Sequence, residues 1–327
     1  MINKCLSIIF IIVWFIYISS VFLVPYFLLN RYKDTSTTVK IVFQSLVSSL
    51  LKYGFDANLF YINEIKQSEN KIDIVMCNHV STIDLSIILT VFNHFGINNY
   101  TIVGSSDYIY IPGFGFHFMI DNHIKLDRNW KEDKQTIGRQ LDKINNGVIF
   151  IFPEGSRFDQ IKRDDGQKHS KKNNLPIYNN LLVPKSKGLW AIFNLLKKKN
   201  KMGKIYDMTI IMQNFVGERA HLNDLIYKET GNIFIINREL KHPKLYLEYA
   251  SFKEWLMNEW LNKDKLIKTY QKLVYKKINI KDNHEYIILN IILFFVLSWV
   301  LIKKKEFRYY MITSLILSYI IIKCKKL

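Results

Sequence analysis

The stretch Ile72-Asp73-Ile74-Val75-Met76-Cys77-Asn78-His79-Val80-Ser81-Thr82-Ile83-Asp84 decides how this chain is read. Its first half is a short, largely apolar run, as expected of a strand buried on both faces of a sheet. His79 follows where such a strand ends, and Asp84 stands five residues later, where a helix begins. A carboxylate so placed can accept from one ring nitrogen, fix the tautomer and stabilise the imidazolium, leaving the other nitrogen to take a proton from a hydroxyl. The same residues also read as Ser81-x-x-Asp84, a capping box in which Asp84 only caps the helix, and on spacing alone the cap is the stronger reading. Both hold at once only if the carboxylate is shared.

A second string lies about 70 residues further on. The apolar run Val148 to Phe152 predicts another buried strand, and Pro153-Glu154-Gly155-Ser156-Arg157 follows it. Pro and Gly force a tight turn, so Glu154, Ser156 and Arg157 project where the strand stops, which is where α/β proteins place ligands. The Arg157 fork suits a phosphate. Taken alone, the string is an ordinary turn with a solvated Arg.

Outward from these two strings, strand-like runs alternate with helical ones. The runs 72–77, 99–104, 123–126, 148–152, 181–184, 204–212, 233–236 and 244–249 predict strands, and 39–52, 82–95, 130–145, 189–199 and 252–277 predict helices. Such alternation points to an α/β fold, a mixed and largely parallel sheet covered by helices. The helix 39–52 carries an apolar face suited to core packing or to a membrane surface. The polar stretch 159–180 reads as a long loop, a flap or an insertion. No internal repeat is visible.

The composition must be placed unevenly to make sense: 327 residues with 49% hydrophobic content have a mean hydropathy of only +0.01. That excludes a polytopic transporter and a disordered chain. From Cys5 to Leu29 no charge occurs over 25 residues, more than the roughly 20 an apolar helix needs to cross a bilayer. Val21-Phe22-Leu23-Val24 carries the run beyond the length of a signal-peptide core, so an uncleaved transmembrane anchor is expected. Two shorter apolar runs, 286–302 and 309–322, are expected to form a C-terminal membrane hairpin, re-entrant or interfacial, at or below the lower limit for a span. The expected organisation is an anchor at 1–34, an α/β domain at 35–285 with its motif core at 70–190, and the hairpin at 286–327. Lys4 alone precedes the first span while Arg31, Lys33 and Lys40 follow it, so the domain should face the cytosol.

The net charge of +18 suits an anionic partner. No nucleic-acid module accompanies the basic clusters at 162–172 and 197–204, so acidic lipid headgroups or polyanionic substrates are the expected partners rather than nucleic acid. Three cysteines, two of them in or beside the apolar ends, give no disulfide framework. His94, His117, His123 and His169 show no metal-ligand spacing with the cysteines. No G-x-S-x-G elbow exists, Ser81 lies too close to His79 for a triad to be assumed, and Cys77 sits inside the apolar run as a small buried residue.

The two strings, in this order behind an anchor helix, resemble the motifs of the glycerolipid acyltransferase family, the membrane enzymes that acylate glycerol-phosphate and lysophospholipids. Asn78, His79 and Asp84 match its N-H-x-x-x-x-D motif, and Phe152 to Arg157 match its F-P-E-G-T/S-R motif. Lys125-Leu126-Asp127-Arg128 resembles its looser second motif and Leu182-Val183-Pro184 its fourth. The resemblance covers roughly residues 70 to 190, with the eukaryotic acylglycerolphosphate and lysocardiolipin acyltransferases as the most similar branch. It implies His79 as general base, oriented by Asp84. It implies Arg128, Glu154, Gly155 and Arg157 as holders of the glycerol-phosphate moiety, Asn78 and Ser156 as further substrate-binding residues, and Pro184 shaping the acyl-donor side. It implies direct attack of a lysophospholipid hydroxyl, lysophosphatidic acid first among them, on an acyl-CoA thioester. Acyl-CoA is then a co-substrate, with no cofactor and no metal. With no targeting signal visible beyond the anchor, the expected membrane is the endoplasmic reticulum, where a cytosol-facing site meets acyl-CoA. A catalytically silent, membrane-tethered lipid-binding protein of the same fold is the competing expectation.

Overall fold

The computed structural model describes residues 32–110, 118, 123–227, 230–242 and 248–280. In chain order its elements are α1 (Tyr32–Ser49), continued by a π-helical turn at Leu50–Gly54, then β1 (Asn58–Ile62), β2 (Ile72–Cys77) and α2 (Asp84–His94). Next come β3 (Tyr100–Ser105), β4 (Ile124–Leu126), α3 (Trp130–Asp142), β5 (Gly147–Ile151), α4 (Gln160–Lys172) and α5 (Ser186–Lys198). The last are β6 (Met202–Met212), α6 (Leu222–Tyr227), β7 (Asn232–Leu240), α7 (Tyr249–Thr269) and β8 (Lys276–Lys277).

The strands form one sheet in the order β4-β3-β5-β2-β6-β7-β1-β8. β4, β3, β5, β2 and β6 run parallel, β6 and β7 pair antiparallel, β7 and β1 parallel, and β1 and β8 antiparallel. The mixed, largely parallel sheet expected from the alternation is therefore present. Every residue of β2 is buried because β5 and β6 flank it and both its faces are covered. Side chains alternate across a strand, so Val75 and Cys77 enter one core with Ile87, Val91 and Phe92 of α2 and Phe43 and Val47 of α1. Ile72, Ile74 and Met76 enter the other with Ile137 of α3, Leu189 and Ile192 of α5 and Trp260 of α7. The functional strings leave the C-terminal ends of β2 and β5, two adjacent parallel strands, and so emerge side by side.

Several expectations need correction. The stretch 159–180 is not a long loop: its first half is α4, whose end is capped by Asp159 accepting from the Ile161 and Lys162 N–H groups. Ser170 is the only buried residue in that helix, so no apolar stripe announces it. Residues 181–184 form no strand. Leu181 and Leu182 are buried without a sheet partner, and the preceding Asn179 and Asn180 N–H groups bond the Asp264 carboxylate. Tyr249, expected to end a strand, begins α7, whereas 243–247 lie outside the described residues. The helix expected over 252–277 ends at Thr269. The expected hairpin, 286–327, and residues 1–31 of the expected anchor, 1–34, also lie outside the described residues, whereas 32–34 belong to α1. Among the described residues no helix is long and apolar enough to cross a membrane.

Candidate active site

Asn78 closes β2. Its side-chain oxygen accepts from Ile210 N–H at 2.8 Å and its amide donates to Ile210 C=O at 2.9 Å. Both ends of a buried amide are thereby satisfied and β2 is clamped to β6. Asn78, expected among the substrate-binding residues, is 1% exposed and holds the strand from which the next residue projects.

His79 Nδ1 lies 2.8 Å from Asp84 Oδ2. The same oxygen accepts from Val80 N–H at 2.6 Å and Ser81 N–H at 2.8 Å. The sequence left open whether Asp84 orients His79 or caps α2; one oxygen holds the imidazole together with the backbone of the turn that leads into α2, while the N-cap position itself, Ile83, has no side-chain cap. An oxygen serving three donors acts as carboxylate, so the imidazole proton belongs on Nδ1 and Nε2 is left for a substrate hydroxyl. Only the carboxylate half of the capping box forms: Ser81 Oγ accepts from Ile83 N–H at 3.4 Å rather than from Asp84 N–H, and donates to Ala220 C=O at 3.2 Å. The His79 ring stacks on Phe152, centroids 4.1 Å apart, and its carbonyl accepts from Phe158 N–H at 2.6 Å. The imidazole is thus fixed at its edge by Asp84, over its face by Phe152 and through its backbone by the second string.

That string turns as its Pro and Gly require. Gly155 N–H bonds Phe152 C=O at 3.0 Å, and Gly155 has φ +67°, a conformation that favours glycine. A side chain there would also meet Lys185, whose Nζ lies 3.2 Å from the position of a Cβ. Lys185 N–H in turn bonds Pro153 C=O at 2.7 Å. Arg157 Nη1 donates to Thr82 Oγ1 at 2.7 Å, joining the two strings.

Arg128 follows β4 with φ +62°. The bend is held from both sides: Asp127 N–H bonds the Asp133 carboxylate at 2.7 Å, the Ser106 hydroxyl bonds Asp127, and Asn129 caps α3. Burial raises the Tyr108 phenol, and the Arg157 and Arg128 guanidiniums pull the other way. His79, Arg128, Gly155, Ser156, Arg157 and Pro184 all line one cleft of about 860 Å³. Its apolar wall includes Leu126, Ile137, Ile151, Val183, Leu189 and Met257.

Residues 61–213, which hold both strings, Arg128 and Pro184, match the family model described as Acyltransferase. The sequence is similar to the probable 1-acyl-sn-glycerol-3-phosphate acyltransferase 5 of Arabidopsis thaliana, 26% identical over 53% of this chain and 46% of that protein. It is similar to lysocardiolipin acyltransferase 1 of Danio rerio, 21% identical over 52% of this chain and 44% of that protein. Residues 61–213 form an acyltransferase-family domain. The chain spans less than half the length of these two curated relatives. A solved structure, the 1-acyl-sn-glycerophosphate (LPA) acyltransferase PlsC from Thermotoga maritima, aligns with a TM-score of 0.48 and 15% identity, covering 84% of this chain and all of that one.

Within the acyltransferase domain, Glu154 lies where the sequence did not place it. Its side chain is 2% exposed, it does not line the cleft, and neither carboxyl oxygen makes a hydrogen bond. Burial pushes its carboxyl well above the usual carboxylate range; Lys263 pulls it back in part, as do the backbone N–H groups of Leu182 and His79, which face it outside good hydrogen-bond geometry. The Cys77 thiol is likewise buried and pushed well up, which disfavours the thiolate a nucleophile needs. His123 is a core residue whose Nδ1 accepts from Ile102 N–H at 3.1 Å.

Three residues near the site escaped the sequence reading. Tyr108 and Lys185 gave no signal beyond their neighbours. Lys263, 0% exposed, sends its Nζ to Asp207 at 2.6 Å and to Met208 C=O at 2.8 Å, directly behind β2 and β6. In the sequence it is one lysine among many on a long helix.

Proposed function

We propose that the chain transfers a fatty acyl group from acyl-CoA to the free hydroxyl of a lysophospholipid, with lysophosphatidic acid as acceptor and phosphatidic acid as product. The observation that carries this reading is the His79–Asp84 pair at 2.8 Å in a cleft that also holds Arg128 and Arg157. The acceptor hydroxyl gives its proton to His79 Nε2 as its oxygen attacks the thioester carbonyl. The C–S bond then breaks, and the leaving thiolate takes the proton from the imidazolium that Asp84 stabilises. A thioester is already activated, so a positioned base suffices, and such help typically contributes about 10²- to 10⁴-fold. The arginine forks suit the acceptor's phosphate, and the apolar wall suits an acyl chain. The names of the relatives support both an acylglycerol-phosphate and a lysocardiolipin acceptor, and the paired arginines favour the exposed phosphomonoester of the former.

The charge-free run 5–29 supports a membrane anchor, with the acyltransferase domain meeting acyl-CoA on the cytosolic face of the endoplasmic reticulum. The test is to express the full chain in membranes and supply labelled acyl-CoA with lysophosphatidic acid, lysophosphatidylinositol and lysocardiolipin in parallel. Label is expected in phosphatidic acid. Label in neither this nor any other acylated product overturns the reading in favour of a silent lipid-binding protein.

A further inference from the structure

The cleft holds more positive charge than one phosphate can use. Arg128 and Arg157 line it together with Tyr108. A second set comes from other elements: Lys185 and Lys187 at the start of α5, and Lys253 one turn into α7, all lining the same cleft. The two helix starts are tied to one another, since the Ser186 and Tyr249 hydroxyls are 2.9 Å apart and the Trp190 and Tyr249 rings meet edge to face at 5.5 Å. Lys253 lies four residues after Tyr249, on the same face of α7, and Lys187 adjoins Ser186. Among the described residues none of the three lysines has an acidic partner. The described acid lining the cleft, Asp133, accepts from the Asp127 backbone.

A phosphomonoester carries at most about two negative charges, which the two arginines match. Five further Lys and Arg residues line the same cleft; Arg219 is paired with Asp159, Lys162 stands apart on α4, and the excess that Lys185, Lys187 and Lys253 add calls for a second polyanion. On the reading given under Proposed function, that second anion is the donor. We propose that Lys185, Lys187 and Lys253 form a separate anion subsite for the phosphates of the coenzyme A portion of the thioester, leaving Arg128 and Arg157 to the lysophospholipid phosphate. The division of residue types fits this assignment. A guanidinium fork fixes the orientation of the one phosphate that must present its hydroxyl to His79, whereas lysines are point charges on flexible stems that hold a multiply charged tail far from the chemistry.

The test compares the full chain in membranes with Lys187→Ala/Lys253→Ala and with Lys187→Arg/Lys253→Arg, using acyl-CoA and the phosphate-free acyl-N-acetylcysteamine thioester as donors to lysophosphatidic acid. At about tenfold for each charge-assisted hydrogen bond removed, the alanine pair raises KM for acyl-CoA about 10- to 100-fold, and the arginine pair restores most of it. KM for lysophosphatidic acid and for the phosphate-free donor stays at the wild-type level. If the wild type transfers acyl groups from acyl-CoA but the alanine pair leaves that KM unmoved, or raises it equally for both donors or for lysophosphatidic acid instead, the reaction stands and the subsite falls. If the wild type transfers no acyl group from acyl-CoA to any lysophospholipid, the reaction falls and the subsite with it.

Discussion

Replacing Asp84 by Asn removes the charge but keeps an acceptor oxygen, so the support of the backbone and the support of the imidazole both weaken and can be read separately, one in stability and one in kcat. Asp84 Oδ2 accepts from Val80 N–H, Ser81 N–H and His79 Nδ1 at 2.6 to 2.8 Å. A hydrogen bond to a charged group contributes about 1.5–3 kcal/mol against about 0.5–1.5 for a neutral pair. Each of the three bonds therefore loses about 1–1.5 kcal/mol, and the two backbone bonds together cost about 2–3 kcal/mol of stability. The third loss falls on the imidazolium formed during proton transfer. There the amide no longer offers an anion, and its NH₂ group can face Nδ1 and select the wrong tautomer. The expected result is a kcat lowered by about 10²- to 10⁴-fold, the range of the whole general-base contribution, with both KM values near wild type. Initial rates of label transfer give kcat, and denaturant unfolding of the solubilised chain gives the stability loss. If Asp84→Asn keeps a kcat within a few-fold of wild type while losing the expected stability, Asp84 holds the backbone of the turn and nothing more.

Two further predictions concern groups beneath the cleft. Glu154 holds its proton in the folded state to a pH well above the ordinary value of 4.5. Its contribution is thus fully present below that value and is lost as pH rises through the folded pKa, with a slope of about 1.4 kcal/mol per pH unit over the window between the two. Glu154→Gln removes this slope, so the variant gains on the wild type as pH is raised from 4.5; parallel stability curves over pH 4–8 would contradict the burial argument. Lys263→Met strands the buried Asp207 with only Arg238, at 2.6 Å, as partner and is expected to cost about 3–5 kcal/mol. Lys263→Met/Asp207→Leu costs less than the single change, because removing both ends of a buried pair leaves no uncompensated charge. Chemical denaturation of the three proteins decides it, and additive losses would show that the pair is not coupled.

What the sequence made legible was whatever depends on burial period. β2 runs over the very residues expected, Ile72 to Cys77, since a strand covered on both faces must be almost continuously apolar. The juxtaposition of His79 and Asp84 was readable because it is local, five residues across one strand-to-helix turn. α4 was invisible because it packs almost nothing: its polar residues carry no stripe, and the Asp159 cap is its main signal. The opposite error arose at Leu181 and Leu182, which are as apolar as a strand and are buried, but join no strand of the sheet. Side-chain direction was the other blind spot. Motif position suggests that Asn78 and Glu154 face the substrate, but Asn78 spends its amide on Ile210 and Glu154 turns inward. Lys185 reaches the cleft by lying across Gly155, an approach between segments 30 residues apart that no local pattern encodes.

The proposed reaction turns on His79 acting as a base towards an acceptor hydroxyl. The measurement that tests this most directly is release of the coenzyme A thiol from acyl-CoA by the full chain in membranes, with and without lysophosphatidic acid, for the wild type and His79→Ala. The mechanism predicts release by the wild type only when the acceptor is present, and a rate lower by about 10²- to 10⁴-fold in the variant with both substrates still bound. Acceptor-dependent release at the same rate in both proteins, or none from a wild type that binds both substrates, would contradict it.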